Sequence, residues 1–373
     1  MDWKNVDCPA LYSRKLELQP IVFDREKNRW LIYSYQHCKE LLLNSHAVIP
    51  EVTLTNGSSL NPTGKMLISR LCRISNGSDH HIARKTAMKI YRSLHDAPLE
   101  ELVATQMAGL KKDGPFDWVE TVALKLPVMT ILKAMSFCDD DADWMLSRLS
   151  ILVKILSPLK TAGDIASFNQ VIHEFYTRVR NWFDLHRRKF LDQATDKKKS
   201  DTDDLFIYNL IGLLIQAYDA GRGLLTNGLI WLNKSDNIGI TYKPDLYDLI
   251  LEVLRIDPPV HNTMRLATED ILIDDQIIKS GQQIMIVIAS ANLDPEIFSL
   301  PRTFNLLRKT NCHHLAFGYG GHECIARELV MNITVEVLHY LKCNFSEFDI
   351  LQQDYEFEPR GNVRLIKELM IKL

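Results

Sequence analysis

The chain has 373 residues, and 46% of them are hydrophobic, which is ample for a large core. Its formal net charge is −3, from 44 Lys and Arg against 47 Asp and Glu, and this balance argues against a nucleic-acid partner. No internal repeat and no Pro/Gly/Ser-rich linker divides the chain. Residues 1–373 are therefore predicted to form a single domain.

The seven cysteines, at positions 8, 38, 72, 138, 312, 324 and 343, are odd in number, scattered and without a Cys-x-x-Cys pair. This usage is typical of a reducing compartment and argues against a disulfide framework and a zinc site. The first residues, MDWKN, are polar and lack the apolar run of a signal peptide or membrane anchor. We therefore expect a cytoplasmic protein without a membrane anchor.

In chain order, helical patterns dominate, and strands are predicted only near 21–33, 265–288 and 360–373. A lysine-rich stretch at 197–199 is followed by small polar and acidic residues and then by an apolar run. That order is typical of a loop ending at a helix start, so a long central helix is predicted from about 203 to about 231. The fold class is mainly α with minor β.

His80 and Arg84 are four residues apart, which places both side chains on one face of a helix. By itself such a pair is more often a solvated helix face. Glu252 and Arg255 are three apart on another helix and could pair, although an ordinary surface pair would have the same spacing.

A loop at 317–324, with the sequence FGYGGHEC, carries the strongest chemical signal in the chain. The glycines allow the backbone to fold closely around the Cys324 sulfur and supply N–H donors, and Phe317 could cover it. A helical pattern follows directly, so its positive end would favour a thiolate. The alternative is a buried free cysteine in a glycine-rich turn.

This loop resembles the haem-binding loop of the cytochrome P450 family, Phe-Gly-x-Gly-x-His-x-Cys-x-Gly, and differs at the last glycine, which is Ala326 here. Glu252 and Arg255 resemble the Glu-x-x-Arg helix of that family. Residues 258–260, 294–298 and 301–304 follow it in the family's order. The resemblance implies a cytochrome P450 fold, one large helical domain with small β-sheets.

The resemblance also implies haem b (iron protoporphyrin IX) as the cofactor and Cys324 as the axial iron ligand. The other residues that it implies in cofactor binding are His80, Arg84, Arg265 and His322 at the propionates, and Phe317, Gly318 and Ala326 in the loop. Glu252 and Arg255 would be structural. His81 and the pair at 313–314 match nothing in this scheme and are interpreted as surface or loop residues.

The central helix departs from the family's pattern, Ala/Gly-Gly-x-Asp/Glu-Thr-Thr. Residues 220–227 read AGRGLLTN, so the acid is replaced by Gly223 and the alcohol by Leu224. In the family this pair relays protons during oxygen activation. The departure predicts inefficient ordinary hydroxylation.

Helical spacing predicts that Gln216, Asp219, Ala220, Gly223 and Leu224 share the face over the cofactor. Asp219 could orient a substrate or act with water as a substitute proton donor, or it could turn aside to pair with Arg222. Val260 and His261 match pocket positions of relatives, but a surface or backbone-bonded His261 is an equal alternative.

The resemblance predicts a monooxygenase-like haem-thiolate oxidoreductase acting on a small organic substrate, with secondary metabolism as the expected setting. Coupling, cyclisation, desaturation, decarboxylation and peroxide-driven oxidation are the outcomes that the altered helix favours. Dioxygen with a ferredoxin or flavodoxin-type partner, or hydrogen peroxide, would supply the oxidising equivalents. The alternative is a catalytically silent haem-binding or recruitment module.

Overall fold

The structure is a computed structural model that describes residues 8–54, 57–110, 114–157, 160–190, 199–235, 240, 242–345 and 347–373. Its helices are α1 (Cys8–Leu18), α2 (Tyr35–Leu43), α3 (Pro62–Arg70), α4 (Gly77–Leu94), α5 (Leu99–Met107), α6 (Leu126–Ala134), α7 (Asp139–Val153), α8 (Ala162–Phe190), α9 (Lys199–Lys234), α10 (Lys243–Ile256), α11 (Ile288–Ala291) and α12 (Arg327–Asn344). The prediction of a mainly helical fold is confirmed.

The strands are short and form three small sheets. They are β1 (Ile21–Asp24), β2 (Arg29–Ile32), β3 (Ala47–Val48), β4 (Phe116–Asp117), β5 (Thr263–Ala267), β6 (Ile271–Ile273), β7 (Gln276–Ile278), β8 (Gln283–Ile286), β9 (Asp349–Ile350) and β10 (Met370–Lys372). The strand orders are β1-β2-β8-β5-β3, β4-β10-β9 and β6-β7. All three regions predicted to contain strands do contain them.

The central helix α9 is longer at both ends than the predicted 203–231. Most of its side chains from Leu205 to Leu232 are buried, because it is apolar around most of its circumference and packs against helices on several sides. The predicted loop before it falls mostly on residues 191–198, which lie outside the described residues. Residues 1–7, which include the polar start of the chain, lie outside them as well.

The fold places α9 opposite the start of α12, with α4 and strand β5 at the sides. A cavity opens between these four elements. The main hydrophobic core surrounds it with side chains drawn from Cys8 to Ile371, and a second cluster packs beneath the five-stranded sheet. Within the described ranges, no helix is long and apolar enough to cross a membrane.

Candidate active site

The loop at 317–324 is held closed around Cys324. The Cys324 N–H donates to the Phe317 carbonyl at 2.9 Å. Gly318 and Gly320 have φ of 75° and 74°, in the left-handed region that favours glycine. A Cβ on Gly320 would lie 2.9 Å from Leu43 Cδ2, so a side chain there would also collide with α2. Both glycines are therefore required by the path of the backbone.

The sulfur of Cys324 accepts a hydrogen bond from the Ala326 N–H, just before α12 begins. Burial raises the pKa of the thiol, while this N–H and the nearby Arg73 and Arg84 oppose that shift. The loop thus presents a sulfur whose accessible surface opens into the cavity and which is supplied with an N–H donor and positive charge. Such a sulfur suits a thiolate bound to a cation.

Cys324 opens into a cavity with an empty volume of about 1620 Å³. Gln216, Ala220 and Leu224 of α9 line the side opposite the sulfur. This volume includes space open to solvent, and it joins the Cys324 sulfur and the α9 residues in one cavity.

A cluster of basic side chains lies at one edge of this cavity and consists of His80, Arg84, Arg265 and His322. The His80 and His322 rings are 3.9 Å apart between centroids. His80 places its Nε2 2.9 Å from the Gly321 carbonyl, and Arg84 Nη1 donates to the Glu323 carbonyl at 2.9 Å. The two helix residues therefore also fasten the cysteine loop to α4.

The basic cluster lacks a counter-ion in the part of the chain that the structure describes, where neither Arg84 nor Arg265 pairs with a carboxylate. Burial and the neighbouring His80, Arg265 and Arg84 lower the pKa of His322 to about 3. Burial and Arg73 lower the pKa of Arg265 to about 10. The buried Nδ1 of His322 has no hydrogen-bond partner among the described residues. A dianionic edge such as the two propionates of haem fits this cluster.

Glu252 and Arg255 form a fully buried bidentate ion pair, with both N–O distances 2.7 Å. Arg255 also donates to the carbonyls of Asn292 and Pro301. Arg308 lies 3.6 Å from the same carboxylate and is the third group of the network. The pair is therefore not an ordinary surface pair; it ties α10 to the segment that leads to the cysteine loop.

The central helix presents a narrower face to the cavity than the spacing predicted. Gln216, Ala220 and Leu224 line it, but Gly223 does not. A Cβ on Gly223 would lie 2.5 Å from Pro259 Cβ and 2.7 Å from Leu365 Cδ2, so that position is packed against neighbouring segments. Gly223 is therefore placed against Pro259 and Leu365 rather than in the cavity lining.

Asp219 is also turned away from the cavity. Its Oδ2 lies 3.2 Å from Arg360 Nη1, and its buried Oδ1 has no hydrogen bond among the described residues. Burial raises the pKa of Asp219, and Arg360 and then Arg222 oppose that shift. Arg222 instead pairs with Glu358 at 3.4 Å. The structure therefore places Asp219 beside Arg360 rather than beside Arg222 or in the cavity lining.

Val260 lines the main cavity, whereas His261 does not. His261 lies in a second cavity of about 790 Å³, where its Nδ1 is 2.9 Å from the Tyr12 hydroxyl. Burial and Arg364 lower the pKa of His261 to about 3. Val260 and His261, although adjacent in the chain, therefore line different cavities.

Sequence reasoning missed two residues. Arg73 lines the main cavity, and Arg308 completes the Glu252–Arg255 network. His314, expected at the surface or in a loop, is buried. The position of Arg73 in the segment leading to His80 and Arg84 was the available signal for its role.

Comparison with known proteins agrees with this geometry. The family model described as Cytochrome P450 matches residues 244–360. The putative cytochrome P450 133B2 of Xylella fastidiosa (strain 9a5c) is 26% identical over 279 residues, which are 69% of this chain and 67% of that protein. The steroid C26-monooxygenase of Mycolicibacterium smegmatis is 27% identical over 58% of this chain and 52% of its own length.

Among solved structures, P450BioI in complex with an acyl carrier protein ligated to hexadec-9Z-enoic acid superposes with a TM-score of 0.86. The match covers 98% of both chains at 18% identity, and it shows a shared fold.

A helical fold with a cysteine loop beneath a large internal cavity defines the class of haem-thiolate proteins. The family-model match, the curated relatives and the shared fold together support assignment of the chain to the cytochrome P450 family. The relatives named as monooxygenases support a haem-dependent oxidoreductase, and the family implies a haem iron, an organic substrate, and oxygen with a redox partner.

Proposed function

We propose that this chain binds haem b through Cys324 and oxidises a small organic substrate held against α9. The observation that carries the proposal is the single cavity that joins the Cys324 sulfur to a buried basic cluster without a counter-ion. Bound there, haem would supply the redox-active iron that activates dioxygen or peroxide.

The residues around the cavity would each contribute to holding the cofactor. Cys324 would ligate the iron, and the Ala326 N–H would stabilise its negative charge. His80, Arg84, Arg265 and His322 would hold the propionates, whose charge would relieve the mutual repulsion of these groups. Phe317 and Gly318 would shape the loop against the porphyrin face.

The side of the cavity opposite Cys324 favours an unusual reaction outcome. Leu224 places a side chain without a hydroxyl where the family has its alcohol, and the space beside Gly223 is filled by Pro259 and Leu365. Gln216 remains as a polar cavity residue of α9, with its amide nitrogen donating to the Gly212 carbonyl. A reaction that needs few relayed protons suits this lining better than hydroxylation.

Coupling, cyclisation, desaturation, decarboxylation or peroxide-driven oxidation would meet that condition. Such chemistry is typical of secondary metabolism, which we propose as the setting, with a cytoplasmic location. A ferredoxin or flavodoxin-type protein would supply electrons, or hydrogen peroxide would replace both electrons and dioxygen. Asp219, held by Arg360, would act on the reaction only through the position of α9.

The test of the proposed function is the carbon monoxide difference spectrum of the reduced protein. We expect the Soret band of a thiolate-ligated haem in the wild type and its loss in Cys324→Ser. Cys312→Ser is the matched control, because Cys312 is an exposed cysteine that does not line the cavity, and it should keep the band.

A histidine-like spectrum in the wild type, or a band unchanged in Cys324→Ser, would contradict Cys324 as the ligand. A thiolate spectrum without product from any substrate, with electron donors or with peroxide, would instead favour a silent haem-binding module.

A further inference from the structure

Arg73 is an arginine inside the main cavity that the proposed function does not use. It lies in the turn between α3 and α4, and its side chain lines the same cavity as Cys324. The side chain has accessible surface, yet burial lowers its pKa. Its accessible surface opens into the cavity that holds Cys324.

Hydrogen bonds hold the backbone on both sides of Arg73. The Cys72 N–H donates to Asn209 Oδ1 of α9 at 2.9 Å, and the Cys72 carbonyl lies 2.9 Å from His80 Nδ1. The Ile74 and Ser75 N–H groups both donate to the Leu71 carbonyl and close the turn. A guanidinium presented from such a fixed turn is preorganised for a ligand.

The guanidinium of Arg73 forms no hydrogen bond or ion pair with the described residues. Neighbouring arginines differ in this respect: Arg70 pairs with Asp201 at 2.5 Å, and Arg84 donates to the Glu323 carbonyl. An unpaired guanidinium that lines a cavity is available to bind an anionic ligand there.

The charge of Arg73 acts on Cys324, on Asp219 of α9 and on Arg265. The groups that lower the pKa of His322 are instead His80, Arg265 and Arg84. Arg73 is thus set apart from the His80–His322 contact and lies where its charge acts on both the cysteine loop and α9. A substrate held against α9 would share this part of the cavity.

The surrounding lining on that side is mainly apolar, from Leu213, Ala217, Ala220, Leu224, Val260 and Ile288. A planar guanidinium at the edge of an apolar chamber matches a carboxylate attached to an apolar body, because two parallel N–H groups can bind both oxygens. Neutral ligands of the same shape would leave the guanidinium unpaired.

We propose that Arg73 binds the carboxylate of a monocarboxylic acid substrate and gives the enzyme its preference for acids over neutral analogues. The proposal rests on the proposed function, because it requires the cavity to hold substrate above a cofactor. A haem propionate is the other carboxylate that could reach Arg73, so the experiment separates the two.

The experiment titrates the haem-loaded protein with two matched pairs of probes, decanoate against decanamide and 4-phenylbutyrate against 4-phenylbutyramide. Binding is followed by calorimetry and by the Soret shift. In the wild type, at least one acid should bind about 10-fold or more tightly than its amide, as expected for charge-assisted hydrogen bonds. Arg73→Gln should abolish that preference and leave amide binding within about twofold.

Arg73→Lys keeps the positive charge but not the planar guanidinium, so it should retain part of the preference for acids. A partial preference in this variant keeps the proposal testable if Arg73→Gln misfolds. Arg70→Gln is the matched control, because Arg70 lies three residues away and does not line the cavity. Haem transfer to apomyoglobin is measured for each variant and should be unchanged in Arg73→Gln.

Equal binding of acid and amide by the wild type, or binding of neither in both pairs, overturns the proposal. Faster haem loss from Arg73→Gln with the acid preference intact also overturns it and assigns Arg73 to a propionate. Failure of the proposed function is separate, because it appears in the wild-type carbon monoxide spectrum. Calorimetry measures the preference for acids independently of the carbon monoxide difference spectrum.

Discussion

Gly223 shows why the missing acid of the central helix cannot be restored by a single exchange. The space that a side chain would need is occupied by Pro259 and Leu365, at 2.5 and 2.7 Å from an ideal Cβ. Leu365 Cδ2 is a side-chain end, but Pro259 Cβ belongs to a ring fixed to the backbone, so relief at Pro259 would require movement of the backbone. The change from acid to glycine is therefore built into the packing between α9 and the segments around 259 and 365.

Replacement of Gly223 by alanine should destabilise the protein by about 1–3 kcal/mol, which is the usual cost of overpacking a core. The measurement is the free energy of unfolding in urea. Gly163→Ala is the control, since Gly163 lies in α8 and a Cβ there would only make ordinary contact with Thr161 at 3.7 Å. That variant should be neutral or slightly more stable. Equal stability of the two variants would contradict the packing argument.

Individual residues were predictable where their chemistry is local. Cys324 could be found because the glycines, the aromatic residue and the following helix are contiguous with it. Asp219 was misplaced because neighbouring positions on a helix differ by about 100° in direction, and the choice was decided by Arg360, a partner far along the chain. Arg73 was missed because a lone arginine in a turn carries no pattern of its own.

At the scale of elements, the buried Glu252–Arg255 pair connects α10 to the loop carrying Pro301 and Asn305. Glu252 accepts the Asn305 N–H at 2.9 Å, and Arg255 donates to the Pro301 carbonyl at 2.7 Å. Both side chains are fully buried. The network therefore fixes the path of the segment that precedes the cysteine loop.

Arg255→Met should cost about 3–5 kcal/mol of unfolding free energy, because it leaves a buried carboxylate without its partner. Haem retention should fall with it, since the cysteine loop follows the same segment. Lys279→Met is the control, because Lys279 and Asp270 form an exposed pair, and it should leave the stability unchanged. A stable Arg255→Met protein with normal haem content would show that the network does not support the loop.

The elements themselves were predictable from apolar periodicity and from Pro and Gly positions, including the long α9 and all three strand regions. The pairing of strands was not, because β10 joins β4 across most of the chain and no local pattern encodes that contact. The same limit applies to the Glu252–Arg255 network. The spacing of Glu252 and Arg255 can be seen in the sequence, but no sequence pattern shows that Arg308 joins them.

For the whole molecule, two buried histidines outside the cysteine loop predict a loss of stability in acid. Burial, with Arg364 acting on His261 and Arg327 on His314, lowers the pKa of each from 6.5 to about 3. The unfolded chain then binds protons that the folded protein excludes. Stability should therefore be fully present above about pH 6.5 and fall as the pH decreases toward about 3.

Each histidine should contribute at most about 1.4 kcal/mol per pH unit within that window. Unfolding free energies from urea titrations at pH 7, 6 and 5 measure the slope. His314→Gln should reduce the slope by up to that amount, whereas His95→Gln should not, because His95 is exposed. If His314→Gln leaves the slope unchanged, His314 has the same protonation state in the folded and the unfolded protein.

The contacts of Asp219 with Arg360 and of Arg222 with Glu358 have a consequence for biosynthesis. When the ribosome has just incorporated Cys324, the nascent chain contains this cysteine, α4 and α9. It does not yet contain the segment around 358–371, which covers α9 and supplies β10. The chamber is then still open on one side. Haem capture should therefore follow translation of that segment, and nascent chains stopped after Cys324 should recruit little cofactor.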